Sequence, residues 1–323
     1  APRVRCPQHG VVVAAVPWAR HGSRFTSWFE DMTAWLARHT SKHAVTPLLR
    51  ITWRTVGSIV ARVVAAARKV NDPLDGLTRI GIDEISFKRG QNYLTVVVDH
   101  DSGRLVWAAP GRDKKTLATF FDALGRSRSW KIRLVSADAA DWIADVVGSR
   151  CMNARLVLDP FHIVAWATDA LDEVRREVWN EARRSGATAH AKELKGARYA
   201  LWKNADRLTE RQQAKLAWIA KVNGPLYRAW LLKEELRQVF HLKGEQGIAL
   251  LTHWLVWAAR CRIEPFVKLA RSIRARRPEI HQTLRTGLSN AIVESTNTKL
   301  RLLMRVAFGY RDTDALIAMA MLD

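Results

Sequence analysis

Three cysteines in 323 residues, Cys6, Cys151 and Cys261, are too few and too scattered for a disulfide framework. That excludes the small disulfide-stapled secreted class and fits a reducing cytosol. No apolar run approaches the roughly 18 residues that span a bilayer, which excludes a membrane anchor. A signal-peptide pattern, internal repeats and low-complexity tracts are also missing. The motif GxxxxGK followed by Ser or Thr does not occur, so P-loop nucleotide chemistry is excluded. Acidic residues are scarce: 31 Asp and Glu stand against 52 Lys and Arg, for a net charge of +21. The opening APRVRCPQHG lacks an initiator Met, which predicts that the natural protein is longer.

A hydrophobic fraction of 48% is that of a globular chain able to bury a sizeable core. Its positive excess predicts a polyanionic partner, and nucleic acid above all. The excess is uneven. Residues 161–285 hold 24 Lys and Arg against 13 Asp and Glu, and residues 1–75 hold 11 against 4. Residues 76–160, with 13 against 10, and 286–323, with 4 against 4, are nearly neutral. Gripping segments therefore flank segments of a different task.

Residues 1–24 read as irregular, with a short strand at Val11–Ala15. Helical spacing follows, with pieces at Ala44–Arg50 and Thr55–Lys69 separated by ITWR. A short helix, a tight turn and a longer helix bearing Arg50, Arg54, Arg62 and Arg68 predict a helix-turn-helix over 25–75 that meets DNA. After the turn-rich NDPLDG, strands are expected at Arg79–Phe87, Tyr93–Asp99 and Leu105–Ala109, with a hairpin turn at DHDSG. A helix at Lys114–Leu124, a strand at Lys131–Ala137, a helix at Trp142–Val147 and a strand at Ala154–Leu158 complete the pattern. Three strands in succession, then alternating helix and strand, predict an α/β, ribonuclease-H-like core. Its first part spans 76–165 and its final helix lies in 286–323. Between them, 166–285 reads as an all-α insertion dense in Trp, with a basic patch at Arg271, Arg274, Arg276 and Arg277.

Asp83 falls within a β-run, Asp138 ends another, and Glu294 sits on the late helix LSNAIVESTNTKLRLLM. Alone, each also reads as a turn, cap or surface residue. Together they suit phosphoryl transfer, in which two divalent ions about 4 Å apart activate the nucleophile and stabilise the leaving oxygen. Magnesium takes hard oxygen ligands, and three carboxylates on rigid elements suffice. Asn290, Asn297 and Arg301 share about one helix face with Glu294. Asn297 and Arg301 are therefore DNA-contact candidates.

The blocks GIDEISFKRGQNYLTVVVDHDSGRLVW, SADAADW, LDPFHIVAWATDALDEVR and LSNAIVESTNTKLRLLMRVAFGYRD resemble, in order and over nearly the whole chain, bacterial insertion-sequence DDE transposases of the ISL-three family. The resemblance implies that Asp83, Asp138 and Glu294 are the metal-holding acids, with two Mg²⁺ ions for which Mn²⁺ can substitute. Asp159 stays open as an alternative middle acid. DPFH resembles an Asp-x-x-His element, which implies a catalytic role for His162 in positioning the scissile phosphate or orienting a metal ligand. The N-terminal CPQH, with Cys6 and His9, resembles half of a family zinc finger in residues 1–24. Zn²⁺ is expected there only if upstream ligands exist, since a structural site needs four.

The implied protein binds double-stranded DNA at terminal inverted repeats and at a target, then cuts and joins it. It would act as a dimer or larger homo-oligomer at the bacterial nucleoid, in the cytoplasm. Two rivals are a structure-selective nuclease of the same fold and a non-catalytic helix-turn-helix regulator.

Overall fold

The computed structural model describes residues 3–88, 90 and 92–322; Arg89 and Gln91 of the quoted β-run lie outside the described residues. A hairpin of β1 (Arg3–Cys6) and β2 (Gly10–Val13) precedes helices α1 (Ser27–His39), α2 (Lys42–Leu49) and α3 (Trp53–Val70). Strands β3 (Arg79–Lys88), β4 (Asn92–Asp99) and β5 (Leu105–Pro110) come next. They are followed by α4 (Lys114–Leu124), α5 (Arg126–Ser129), β6 (Leu134–Ala137), α6 (Asp141–Arg150) and β7 (Arg155–Leu158). The helical stretch opens with α7 (Pro160–Arg184), α8 (Thr188–Gly196), α9 (Arg198–Trp202) and α10 (Glu210–Val222). It continues through α11 (Gly224–Val239), α12 (Gly244–Arg260), α13 (Glu264–Ala275) and α14 (Arg277–Thr286). Two helices close the chain, α15 (Ala291–Val306) and α16 (Thr313–Ala320).

Two compact units result. One runs to Val135 and takes in Asp141–Ala154 and the chain from Ala291 on; the other holds Ser136–Ala140 and Arg155–Asn290.

In the first unit, side-chain caps start each of the three leading helices. Thr26, Ser41 and Thr52 accept the N–H groups of Phe29, Ala44 and Thr55, satisfying donors that a helix start leaves free. Val56, Ile59, Val60 and Val64 put one stripe of α3 in the core. Ala34, Ala37, Val45, Val56 and Val60 form a cluster closed by Met319 of α16. The turn between α2 and α3 is made at Arg50, whose φ of 54° ends α2 in a left-handed cap.

The sheet of this unit has the order β5-β4-β3-β6, with β3, β4 and β5 antiparallel. Asp83 pairs with Val96 in mid-strand, and Ile85, two residues on, shares its face. Ile85, Leu94, Val96, Val98 and Leu105 pack with Val293 and Leu300 of α15 and with Leu316 of α16. Each such side chain contributes about 2 kcal/mol on burial. That seats α15 firmly on the face that carries Asp83. The DHDSG turn is tied by Asp99, whose carboxylate accepts the N–H groups of Asp101 and Ser102.

Strand β6 is shorter than the expected Lys131–Ala137. Lys131 and Ile132 donate their N–H groups to Arg128 and Ser129, completing a helical turn, so pairing starts later. Residues of the expected irregular opening form β1, which pairs with β2, Cys6 opposite Gly10.

The second unit contains the last two residues of β6, with β7 next in order. Helix α7 runs unbroken from Pro160 to Arg184, through the expected junction at 165/166. It packs with α8, α11 and α13 around Ile163, Ala167, Leu171, Leu236, Phe266 and Ile273. Of the tryptophans here, Trp254 is fully buried and donates Nε1–H to the Leu232 carbonyl at 2.7 Å. Trp166, Trp179, Trp202, Trp218 and Trp257 are only partly buried against this core. The Arg198 guanidinium lies 3.8 Å from the centre of the Trp202 ring.

Candidate active site

Asp138 directly follows β6, and Asp159 directly follows β7 and precedes α7. Within the second unit His162, in the first turn of α7, joins them. Its Nε2 lies 2.9 Å from Asp138 Oδ2 and its Nδ1 lies 3.2 Å from Asp159 Oδ2. The hydrogen bond to Asp138, then that to Asp159, raises the imidazole pKa from 6.5 to about 10. A ring donating from both nitrogens is an imidazolium at neutral pH.

Asp159 is 4% exposed, and its other oxygen accepts the Asn290 N–H at 3.2 Å. Asn290 Oδ1 in turn accepts the Ser136 hydroxyl at 2.5 Å, two residues before Asp138 in β6. On the β7 side, Thr283 of α14 donates its hydroxyl to the Leu158 carbonyl at 2.8 Å. The strand ends that present both aspartates are therefore bonded from the helical side.

Asp159 thus spends both oxygens on holding His162 and Asn290. Asp138 spends one, and its Oδ1 is buried with no hydrogen-bond partner among the described residues. An unpaired buried carboxylate oxygen is costly and fits a cation. Ligand atoms of Asp138, Asp159 and His162 lie within 4.8 Å of one another, and because the imidazolium has no lone pair to give, only the carboxylates are left as ligands. The chemistry of the two carboxylates fits a hard divalent ion.

In the first unit, Asp83 Oδ1 accepts the Glu84 N–H and Oδ2 accepts the Asn297 Nδ2–H, both at 2.7 Å. Glu294 is exposed in the first turn of α15, three residues before Asn297. Three residues along a helix is one face, so α15 presents Glu294 beside the residue that grips Asp83.

The expected DNA contacts divide. Arg50, Arg54, Arg271, Arg274 and Arg301 are exposed. Arg62 is not free for phosphate: it bonds the buried Glu30 at 2.7 Å. Arg68 rests its guanidinium on the Met321 sulfur. Arg276 is half-buried, and half-buried Arg277 donates to His281 and Thr252, both at 3.1 Å. Asn297, 2% exposed, is turned inward to Asp83 and presents no face to DNA. Cys6 Sγ and His9 Nδ1 lie 3.4 Å apart across the β1–β2 turn.

Thr283, Ser136 and Glu30 are further residues of these networks. Nothing in their local sequence marks them, because their partners lie 125, 154 and 32 residues away. Asn290 and Asn297 were visible as a stripe with Glu294, though the direction of their contacts was not.

Residues 80–320 match a family model described as transposase, of the ISL3 DDE type. Residues 14–64 match the helix-turn-helix domain of transposase family ISL3. The chain is similar to the transposase for insertion sequence element IS1557 of Mycobacterium tuberculosis, in strains H37Rv and CDC 1551. Identity is 60% over 341 aligned residues, covering 100% of this chain and 77% of that protein. The transposase for insertion sequence element IS1001 of Bordetella parapertussis is 26% identical over 316 residues, covering 97% of this chain and 77% of that protein.

Proposed function

Because the chain belongs to the ISL3 family of DDE transposases, we propose that Asp83, Asp138 and Glu294 are its catalytic carboxylates, in a ribonuclease-H-like core. The observation that carries this reading is Asp138, with a buried oxygen that has no partner among the described residues, beside the His162–Asp159 pair. Two Mg²⁺ ions, when bound, would polarise the scissile phosphate and lower the pKa of the attacking hydroxyl. Asp83, Asp138 and Glu294 would hold them, and Asp159 serves Asp138 by orienting His162. With both N–H groups held by Asp138 and Asp159, the His162 imidazolium would supply positive charge beside the scissile phosphate.

Arg50 and Arg54 flank the turn of the helix-turn-helix and suit contact with end DNA. Arg271 and Arg274 on α13, and Arg301 on α15, offer further phosphate contacts. The reaction we assign is cleavage at the terminal inverted repeats of an insertion sequence, then attack of the freed 3′-OH on target DNA. Pairing two ends calls for a dimer or larger assembly, acting at the nucleoid in the cytoplasm. Zinc at Cys6 and His9 requires two further ligands.

Incubating the protein with Mg²⁺ and DNA carrying the element's ends tests the reading. Cleavage followed by joining supports it. Cutting without joining favours a structure-selective nuclease, and binding without metal-dependent cutting a regulator.

A further inference from the structure

Asn297 is 2% exposed on α15, a helix whose Glu294, Ser295, Thr298, Lys299 and Arg301 all face solvent. Burying an unbonded amide costs about 1–3 kcal/mol, so a buried asparagine needs a reason. Here the reason is one hydrogen bond, 2.7 Å from Nδ2–H to Asp83 Oδ2, across 214 residues of sequence. Asn297 Oδ1 is buried without a partner among the described residues, so the amide's one bond among them is that to Asp83. The contact also settles which end of the amide is the donor, because a carboxylate only accepts.

Asp83 sits in mid-strand and its other oxygen accepts the Glu84 N–H at 2.7 Å. One N–H group on each oxygen fixes the carboxylate's rotamer. The neutral amide matters. A Lys or Arg at this position would hold Asp83 equally well but would cancel its charge and compete with a cation. Asn297 holds the carboxylate and leaves the charge intact. One helical turn earlier, the same helix presents Glu294. A single side chain therefore sets the first acid and ties down the helix of the third.

We propose that Asn297 is a positioning residue: it pre-orients Asp83, and the α15 backbone that carries Glu294, for a divalent cation. The inference rests on the reading of these acids as metal ligands. Residues that orient metal ligands typically change affinity by about 10–100-fold when lost.

The test is Mn²⁺ binding to the full chain without DNA, by titration calorimetry, so the readout is independent of activity. Asn297→Leu keeps the branched heavy-atom skeleton and removes the donor. It should weaken Mn²⁺ binding about 10–100-fold while the protein keeps its binding to end DNA. Asn297→Ser retains a donor and should recover part of the loss; it also serves if the leucine variant does not fold. In an Asp83→Asn background, Asn297→Leu should cause no further loss, because its effect passes through Asp83. Wild-type Mn²⁺ affinity in a folded Asn297→Leu protein would overturn the inference alone. An undiminished loss in the Asp83→Asn background would do the same. A wild-type chain that bound no Mn²⁺ would overturn the metal reading and this inference with it.

Discussion

Arg62 is bonded to the fully buried carboxylate of Glu30, from Nε at 2.8 Å and Nη2 at 2.7 Å. Arg20 approaches the same carboxylate at 3.3 Å, and the Ser23 hydroxyl donates to it at 2.7 Å. The pair ties α3 to α1 and to the loop before it. An arginine in a basic helix here serves packing. Removing Arg62 leaves the buried Glu30 carboxylate with only the longer Arg20 contact, among the described residues, to balance its charge. Arg62→Ala should therefore lower the unfolding free energy by about 3 kcal/mol in urea titration. A change below about 1 kcal/mol would return Arg62 to the surface.

Arg54, exposed at the start of α3, should behave in the opposite way. Arg54→Ala should leave the melting temperature unchanged and weaken end-DNA binding. The slope of log K against log salt should fall by about 1, as for one lost phosphate contact. An unchanged slope would mean that α3 meets DNA elsewhere.

His162 carries a pH prediction. Its folded-state pKa is raised, so the stability it adds is full below the unfolded value of 6.5 and is lost as pH rises through about 10. In the metal-free protein, NMR should show the His162 ring charged at pH 8. A midpoint between pH 6 and 7 would mean that the two aspartates do not hold it. Asp159→Asn should lower the midpoint.

Thiol chemistry separates the three cysteines. Burial pushes the Cys151 thiol up to about 12, and Cys261 is also buried. Iodoacetamide at pH 8 should modify Cys6 in the native protein and leave the other two intact, as read by peptide mass spectrometry. Rapid labelling of Cys151 would show that the α6–β7 connection opens.

The sequence made strands β3, β4 and β5 legible because alternation and turn residues are local signals, and α4 was bounded at Lys114 and Leu124 as observed. Family membership was carried by four separated blocks, and the match over 80–320 covers them. The expected strand starts too early because Lys131 and Ile132 are captured by a helical turn, and only from Arg133 do N–H groups reach across to Thr78. The packing contacts of Arg62 and Asn297 are not legible in the sequence for one physical reason. Charge and polarity along a helix show which residues share a face, but the buried partner that claims them, Glu30 or Asp83, is set by packing over long range. Glu294 stays the least constrained of the three acids, exposed on α15.

The most direct test of the carboxylate account is strand cleavage by Asp83→Ala, Asp138→Ala and Glu294→Ala proteins, with Mg²⁺ and DNA carrying the element's ends. Each variant should bind the ends as wild type does and show no cleavage above background. Normal Mg²⁺-dependent cleavage by any one of them would remove that residue from the site.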